Sequence, residues 1–275
     1  MRELLRMGPV VAPGAYNAMT AKLVEQAGFA SVYMTGAGTS MSYGFPDVGL
    51  LTMNEMVDNA AAMARSVSIP LIADADTGYG NELNVTRTVR EFESRGVAAL
   101  HLEDQVSPKR CGHLAGKELV SREEFVSKIS AAATARSDSG FMIIARTDAR
   151  SVIGFDEAIL RANAALGAGA DMAFVEAPQT MEEIFAIPRR VNGPCLFNVS
   201  HGGKSPVPDL REAAAMGYAL CIVAGILTRA TVEACDDALA QLKSTHLPPI
   251  PRSGIAETAQ RFGADKWNAL SKTRS

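Results

Sequence analysis

The stretch PLIADADTGYGNELNVTRTVREFESRGVAALHLED, residues 70 to 104, contains the structural unit that decides the fold. Two short apolar runs, at 70–76 and 98–104, flank a segment at 81–96 that has helical spacing and ends in glycine, as helix C-termini prefer. Near-continuous apolar runs are typical of strands that are buried on both faces. A strand, a helix and a second strand in succession therefore predict two parallel strands joined by a right-handed crossover.

The same alternation recurs along most of the chain. Eight short runs rich in Val, Ile, Leu and Met are followed by segments with helical spacing, such as 17–28, 122–138 and 155–170. The eight runs are PVVAPG (9–14), SVYMTG (31–36), PLIADAD (70–76), AALHLED (98–104), FMIIARTD (141–148), DMAFVEA (171–177), CLFNVS (195–200) and ALCIVAG (219–225). Eight strand-helix units predict a closed α/β barrel, the (β/α)8 TIM barrel. An open doubly wound sheet is the alternative, but no GxGxxG motif follows the first strand.

The end of the chain departs from this alternation. HLPPIPRSG at 246–254 predicts a proline-rich linker, and IAETAQRFGADKWNALSK at 255–272 has the spacing of an amphipathic helix. We therefore predict a barrel catalytic domain over 1–245, and a linker with an additional C-terminal helix over 246–275. We expect that helix to pack outside the barrel or on another subunit, since Trp267 would otherwise be exposed.

The composition predicts a globular protein that acts on a small molecule. Hydrophobic residues make up 47% and charged residues 21%, and a net charge of -3 provides no basic surface for nucleic acid or anionic lipid. The first residues lack the apolar run of a secretory signal, and no run approaches the roughly 18 apolar residues of a membrane span. The four cysteines lack CxxC spacing and are too few for a disulfide framework. We expect a cytoplasmic protein with reduced thiols.

Polar residues cluster at the carboxyl ends of the predicted strands, where the active site of such a barrel lies. Several carboxylates in one place repel each other unless a hard divalent cation lies among them, and Mg2+ suits such an oxygen-rich site. For any single carboxylate, a solvated loop or a helix N-cap is the alternative. The residues, strand by strand from the third to the seventh, are Asp74 and Asp76, Glu103 and Asp104, Arg146 and Asp148, Glu176, and Asn198 and Ser200.

Arg146 follows the apolar residues FMIIA, where a solvated arginine would be out of place. We expect it to hold a substrate carboxylate through two hydrogen bonds. A buried ion pair with Glu176 or Asp148 is the alternative, and the two roles can coexist. Asn198 and Ser200 alternate on their strand, so they can donate hydrogen bonds to a second carboxylate or serve as caps.

The segment DQVSPKRCGH, residues 104–113, places Cys111 in the polar connection after the fourth strand. We expect Lys109, Arg110 and His113 to lower the pKa of its thiol, whereas apolar surroundings would raise that pKa. The other three cysteines lie in predicted strands or a helix and have no such neighbours. Cys111 is therefore the candidate reactive thiol.

These motifs, taken together, resemble a known family. LHLEDQVSPKRCGH closely resembles the signature of the isocitrate lyase and phosphoenolpyruvate mutase superfamily, in particular the K-[KR]-C-G-H loop of its carbon–carbon lyases. Further segments resemble its strand-end motifs in the right order, over roughly residues 9 to 240: YMTGAG at 33–38, PD at 46–47, DADTGYG at 74–80, ARTDA at 145–149 and FVEA at 174–177.

The resemblance implies a cofactor, a pocket and an assembly. It implies Mg2+, with Mn2+ as a possible substitute, bound directly by Asp74, while Asp47, Asp76 and Glu103 hold metal-bound waters. It implies a loop that carries Cys111 over the substrate, where the thiol acts as the general acid, and it implies a homotetramer. The implied substrate-binding residues are Thr35, Gly36 and Ala37 at the 2-oxo or 2-hydroxy acid end, and Arg146, Gly112, His113, Glu176, Asn198 and Ser200 elsewhere.

The expected activity is cleavage of a 2-hydroxy di- or tricarboxylate, of the 2-methylisocitrate or 2,3-dimethylmalate type, into a 2-oxo acid and a second carboxylate. Arg146, His113 and Asn198 would stabilise the carbanion-like fragment and Cys111 would protonate it. The base is open between Tyr33 and Tyr43, each of which can equally be a packing residue. Alternatives are an oxaloacetate hydrolase or decarboxylase, a phosphonopyruvate-type carbon–phosphorus enzyme, whose family members lack this cysteine, and a metabolite-binding protein without activity.

Overall fold

A computed structural model describes residues 1–272 and contains the predicted barrel. Eight parallel strands pair in chain order, and the last pairs with the first, so the sheet closes. Each strand forms on one of the eight apolar runs. The strands are β1 Val10–Ala15, β2 Val32–Met34, β3 Leu71–Asp74, β4 Ala99–Glu103, β5 Met142–Thr147, β6 Met172–Val175, β7 Cys195–Asn198 and β8 Leu220–Val223. The (β/α)8 prediction is confirmed, and the open doubly wound sheet is wrong.

Helices connect the successive strands, and several of them begin at a side chain that caps the free N–H groups of the first turn. Asn17, Thr52, Asn81 and Asp209 each form a capping box at the start of a helix. The four segments singled out by helical spacing form α2 (Ala18–Gln26), α5 (Glu82–Ser94), α6 (Arg122–Ala135) and α8 (Phe155–Gly167). The helices are α1 Arg2–Met7, α2 Ala18–Gln26, α3 Gly36–Ser42, α4 Met53–Ser66, α5 Glu82–Ser94, α6 Arg122–Ala135, α7 Ala149–Val152, α8 Phe155–Gly167, α9 Met181–Arg190, α10 Leu210–Met216, α11 Ile226–Thr245, α12 Ile255–Arg261 and α13 Ala264–Lys272.

The core has an inner and an outer part. Alternate strand residues fill the barrel interior with apolar side chains such as Ile72, Ile144 and Phe174. The other strand residues pack outward against the helices, where Phe92 and Phe125 are fully buried. Burial of each such side chain contributes about 1.5–3 kcal/mol. The polar site therefore rests on an apolar base that fixes the strand ends.

The register of the strands brings charged residues from different strands side by side. Asp74 on β3 is the partner of His101 on β4, and Glu103 at the end of β4 is the partner of Arg146 on β5. Because all eight strands run parallel, these residues lie at the carboxyl-end mouth of the barrel. The pairing thus assembles a charged cluster from residues that are far apart in sequence.

The chain divides into two compact units, residues 1–228 and a second unit from Arg229 onward. The predicted boundary at 245/246 lies at the end of α11, whereas the observed division at 228/229 lies near the beginning of that helix. The second unit contains most of α11, then α12 and α13. Where one C-terminal helix was predicted, two form, because Gly263 adopts a left-handed φ of 87° between them. Among residues 1–272, no helix has the length and apolar character needed to cross a membrane.

Candidate active site

The predicted metal ligand Asp74 lies at the end of β3 in a fully buried hydrogen-bond network. Its Oδ2 accepts hydrogen bonds from the Gly36 N–H at 3.2 Å and the Tyr33 hydroxyl at 3.4 Å. Its Oδ1 accepts from the Asp76 N–H at 3.0 Å and lies 3.6 Å from His101 Nε2. Burial alone would raise the pKa of Asp74, but His101 and nearby cations lower it to about 2. The carboxylate is held ionised and oriented.

Tyr33 and His101 form a buried pair beneath Asp74. The Tyr33 hydroxyl lies 2.8 Å from His101 Nε2, and the two rings stack with their centroids 5.8 Å apart. Burial and the Asp74 charge raise the pKa of Tyr33 well above its usual value, while burial lowers the pKa of His101 to about 4. Both side chains are therefore neutral near pH 7. Tyr43, the other candidate base, is 47% exposed and so differs from the buried Tyr33.

Arg146 lies at the centre of three carboxylates. Its guanidinium contacts Glu103 Oε2 at 3.0 Å, Asp148 Oδ2 at 3.0 Å and Glu176 Oε2 at 3.8 Å. The ion pair with Asp148, predicted as an alternative to substrate binding, is present. Asn198 Nδ2 lies 3.5 Å from Glu176 Oε2 and extends the cluster to β7.

The carboxylates at the mouth exceed the cations that compensate them. Burial raises the pKa of Glu103 well above its usual value and that of Asp76 to about 6. Both oxygens of Glu103 and Oδ1 of Asp76 are buried without a hydrogen bond of good geometry. Buried carboxyl oxygens that lack hydrogen-bond partners fit a hard divalent cation, whose charge would favour their ionised form.

Within residues 1–272, no group of three or more His, Cys, Asp or Glu side chains converges tightly enough to bind a metal through direct contacts alone. Mg2+ commonly uses only one or two direct carboxylate ligands and keeps several waters. The residues present therefore fit a site with Asp74 as the direct ligand.

The loop between β4 and α6 folds back over this cluster. Its two ends pair through a bridge between Gln105 and Leu119 and a backbone hydrogen bond from Val106 N to Glu118 O at 2.8 Å. The Gln105 side chain bonds both backbone groups of Arg110, at 2.9 Å each. The loop therefore has a fixed stem and a braced turn, with Cys111 directly after that turn.

Lys109 bonds the predicted water-holding carboxylates. Its buried ammonium contacts Asp47 and lies 3.1 Å from Asp76 Oδ1. Burial would lower the pKa of Lys109, but Asp76, Asp74 and Asp47 raise it well above its usual value. The sequence predicts this charge beside Cys111 and does not predict its pairing with Asp47, since nothing in the local pattern links residues 62 positions apart.

The predicted lowering of the Cys111 pKa is wrong. Burial, and next the charge of Asp47, raise the pKa of the thiol, and a hydrogen bond from the His113 backbone N–H only partly offsets this. Lys109 points away to its carboxylates and Arg110 is exposed, so neither basic neighbour stabilises the thiolate. The thiol keeps its proton at neutral pH, as a proton donor must.

Gly112 and His113 connect the loop to the cluster. A Cβ on Gly112 would lie 2.5 Å from Arg146 Nη2 and 2.6 Å from Glu176 Cγ, so only glycine allows this approach. His113 Nε2 lies 3.2 Å from Glu176 Oε1, and its Nδ1 accepts a hydrogen bond from Lys204 N at 3.2 Å. His113 therefore joins the loop after β4 to the loop after β7.

The remaining predicted residues border the same mouth. Thr35 caps α3, and Gly36 lies so close to Asp74 that a Cβ would be 2.4 Å from its Oδ2. Ala37 and Ser200 are half-buried. By contrast Asp104, grouped with the mouth in the sequence, faces away and accepts hydrogen bonds from Thr147 Oγ1 at 2.6 Å and Arg161 Nη1 at 3.1 Å.

Two buried residues at the site were missed in the sequence. His101 stands two positions before Glu103 on β4, so strand alternation could have placed it on the same inward face. Lys117 donates to Gly112 O and, at 2.8 Å, to Asp148 Oδ1. No periodicity marks a lysine in an irregular loop, so this contact was not predictable.

Comparison with known proteins supports the resemblance. The family described as phosphoenolpyruvate phosphomutase matches residues 1–243. The chain is 53% identical over 224 residues to 2,3-dimethylmalate lyase of Eubacterium barkeri, covering 81% of this chain and 78% of the relative. It is 45% identical over 246 residues to 2-methylisocitrate lyase of Aeropyrum pernix, covering 88% and 78%.

Solved structures agree in fold over nearly the whole chain. Oxaloacetate acetylhydrolase in complex with 3,3-difluorooxalacetate superposes with a TM-score of 0.96 at 36% identity, covering 99% of this chain and 95% of that one. A phosphonopyruvate hydrolase in complex with oxalate and Mg2+ superposes with a TM-score of 0.86 at 32% identity, covering 99% and 97%. The chain belongs to the phosphoenolpyruvate mutase family, within the isocitrate lyase and phosphoenolpyruvate mutase superfamily.

Proposed function

We propose that this protein is a metal-dependent carbon–carbon lyase. Its substrate is a 2-hydroxy di- or tricarboxylate of the 2,3-dimethylmalate or 2-methylisocitrate type, and its products are a 2-oxo acid and a second carboxylate. The observation that carries the proposal is the folding of the Cys111 loop over Arg146 and the carboxylates of the barrel mouth. The activity named for the relative at 53% identity supports the same chemistry.

The proposed cofactor is Mg2+, with Mn2+ as a possible substitute. Asp74 would bind the ion directly, and Asp76, Asp47 and Glu103 would hold its waters. When bound, the ion supplies a Lewis acid that polarises the substrate's oxygens at its 2-hydroxy acid end. The phosphonopyruvate hydrolase complexed with Mg2+ supports a magnesium ion in a barrel of this shape.

The chain's own residues then bind and orient the substrate. Thr35, Gly36 and Ala37 border the 2-hydroxy acid end, next to Asp74. Arg146, held by its carboxylates, presents fixed positive charge to the carboxylate that gains electrons as the bond breaks.

Neutral donors complete the pocket on the side of the second carboxylate. Asn198 and Ser200 lie at the end of β7, and Gly112, His113 and Glu176 border the pocket at the loop. Tyr33 acts in this proposal as a neutral hydroxyl between His101 and Asp74, which favours donation of a hydrogen bond over removal of a proton.

Cys111 is the proposed proton donor. Its raised pKa keeps the thiol protonated, and the close approach of the adjacent Gly112 to Arg146 and Glu176 supports a position for the thiol near the cluster. Closure of the loop excludes water, so the carbanion-like fragment receives its proton from the thiol.

The decisive experiment is a substrate panel. Pure protein with Mg2+ is incubated with 2,3-dimethylmalate, 2-methylisocitrate, isocitrate, oxaloacetate and phosphonopyruvate, and the products are identified by NMR. Cleavage of one of the first three supports the lyase, and hydrolysis or decarboxylation of oxaloacetate alone would contradict it. A matched sample of an Asp74→Asn variant controls for contaminating enzymes.

Oxaloacetate hydrolysis is the second candidate function. The superposition with oxaloacetate acetylhydrolase at a TM-score of 0.96 favours it, since both reactions can use the same metal and oxyanion site. Carbon–phosphorus chemistry has less support because Cys111 is present. Mg2+-dependent ligand binding without turnover of any compound would instead indicate a binding protein.

We also propose a cytoplasmic homotetramer. The tail carries large apolar side chains that are exposed in the single chain, among them Ile250 at 94% and Trp267 at 73%, which favours their burial in an assembly. Light scattering on the purified chain measures the mass directly, and a monomer at micromolar concentration would contradict this proposal.

A further inference from the structure

Lys117 is a buried cation that the proposed chemistry does not use. Its side chain is 2% exposed, and its ammonium makes two contacts, to the Gly112 carbonyl and to Asp148 Oδ1 at 2.8 Å. A lysine loses substantial hydration when it is buried to this extent, so the two contacts must compensate that loss. Both partners belong to the site, one on the connection after β4 and one directly after β5.

The first contact fixes the orientation of one peptide group. The bond between Gly112 and His113 is trans, so its carbonyl and its N–H point in opposite directions. With the carbonyl held by Lys117, the His113 N–H points to the opposite side of the turn that the Leu114 N–H closes on the Cys111 carbonyl at 2.9 Å, and this N–H lowers the pKa of the Cys111 thiol.

The second contact ties this peptide to the strand framework. Asp148 accepts hydrogen bonds from Arg146 Nε at 3.0 Å and Nη2 at 3.3 Å, as well as from Lys117. Asp148 is itself fully buried, and its backbone N–H donates to Asp104 Oδ1 at 2.8 Å. The position of the loop peptide is thus set by the same carboxylate that orients Arg146.

We propose that Lys117 is a positioning residue for the general acid: it holds the Gly112–His113 peptide so that the His113 N–H stabilises the Cys111 thiolate that forms on proton transfer. In that step the S–H bond of Cys111 breaks and a C–H bond forms on the carbanion-like fragment. The negative charge moves from the fragment to the sulphur, where the His113 N–H stabilises it. The expected effect on turnover rests on the proposed function, whereas the expected effect on the ionisation of the Cys111 thiol does not.

The test compares Lys117→Met with Lys117→Arg and with Lys128→Met, a matched loss of another buried lysine that lies on α6. All are made in a Cys235→Ser background, because Cys235 is exposed and Cys195 and Cys221 are buried. Alkylation of Cys111 by iodoacetamide is followed against pH. The midpoint reports ionisation and the plateau rate reports access, so opening of the loop is separated from loss of the hydrogen bond.

We expect Lys117→Met to raise the alkylation midpoint by about one pH unit, the effect of losing one hydrogen bond to an ionised group. The charged groups that act on Cys111, namely Asp47, Arg146 and Glu176, remain in every variant. Lys117→Arg should lie closer to the wild type, because a guanidinium can donate to both partners. A midpoint unchanged in Lys117→Met, or shifted equally in Lys128→Met, would overturn the proposal.

With the substrate that the panel identifies, kcat of Lys117→Met should fall by about 10- to 100-fold while KM stays within about threefold, since only proton transfer is affected. A rise in KM with kcat unchanged would contradict the positioning role. If the wild type cleaves no compound in the panel, the proposed lyase function fails, but the alkylation midpoints still decide whether Lys117 positions the peptide. Circular dichroism checks that each variant is folded.

Discussion

Asp74, Glu103 and Arg146 reach the mouth of the barrel from the ends of neighbouring strands, whereas Lys109, Cys111 and the other loop residues reach it from an irregular connection. The strand-end side chains are fixed by the parallel register, and their charges are buried and partly uncompensated. The loop is held at its stem by backbone pairing and at its tip by a few ionic contacts. One half of the site is therefore part of the folded core, while the other half is docked onto it.

Loss of Arg146 should have the largest effect, because this side chain contributes both to turnover and to the stability of the buried charge cluster. Arg146→Met leaves Glu103, Asp148 and Glu176 buried without their shared cation, which should cost about 3–5 kcal/mol of unfolding free energy. Turnover should fall by about 10³-fold or more, since an oxyanion-stabilising group is lost. Urea unfolding and product formation measure the two effects. Arg146→Lys is the control, and it should recover more stability than turnover.

Cys111→Ser should lower turnover by about 10²- to 10⁴-fold, the contribution of a general acid. Stability should change by less than about 0.5 kcal/mol, because the residue lies on a docked loop and the substitution changes one atom. Cys235→Ser, on an exposed position, is the matched control and should leave turnover unchanged. Undiminished cleavage by Cys111→Ser would remove the thiol from the mechanism.

Gly112→Ala tests the docking of the loop itself. The added Cβ would lie 2.5 Å from Arg146 Nη2, so the loop can no longer close fully, and turnover should fall by about 10²-fold through misplacement alone. Stability should remain near that of the wild type. Gly167→Ala, where a Cβ meets nothing within 4 Å, is the control. Equal losses of stability in the two variants would mean that the loop belongs to the core after all.

The smallest effect should appear in acid. Burial would raise the pKa of Asp148, but Arg146 and Lys117 outweigh it and lower that pKa to about 2. A carboxylate with a depressed pKa contributes stability above its unfolded value near 4, and that contribution of about 2 kcal/mol is lost as the pH falls from about 4 to about 2.

The measurement is urea unfolding from pH 5 to pH 2. Loss of Lys117 should move the decline towards higher pH, whereas Lys128→Met should not. Identical acid profiles for both variants would show that the loop cation does not act on Asp148.

The alternation of strands and helices was predictable because it depends on neighbours in sequence. Each apolar run became a strand, and residues such as Asp74 and Arg146 could be assigned to the mouth because strand ends share one face of a barrel. The split of the tail at Gly263 and the outward turn of Asp104 were not predictable in this way. Both depend on a single backbone conformation or a partner elsewhere in the chain.

Local periodicity and contiguous motifs were enough to predict the eight-unit barrel, the strand-end carboxylates and the family. The pairing of each cation with its carboxylate, and the protonated state of the thiol that results from it, could be recognised only in the folded chain. Lys109 lies two positions from Cys111, yet its charge is paired with Asp47, and burial raises the pKa that the neighbouring residue types were expected to lower. Charge acts through distance and hydration in three dimensions, and neither is specified by sequence spacing.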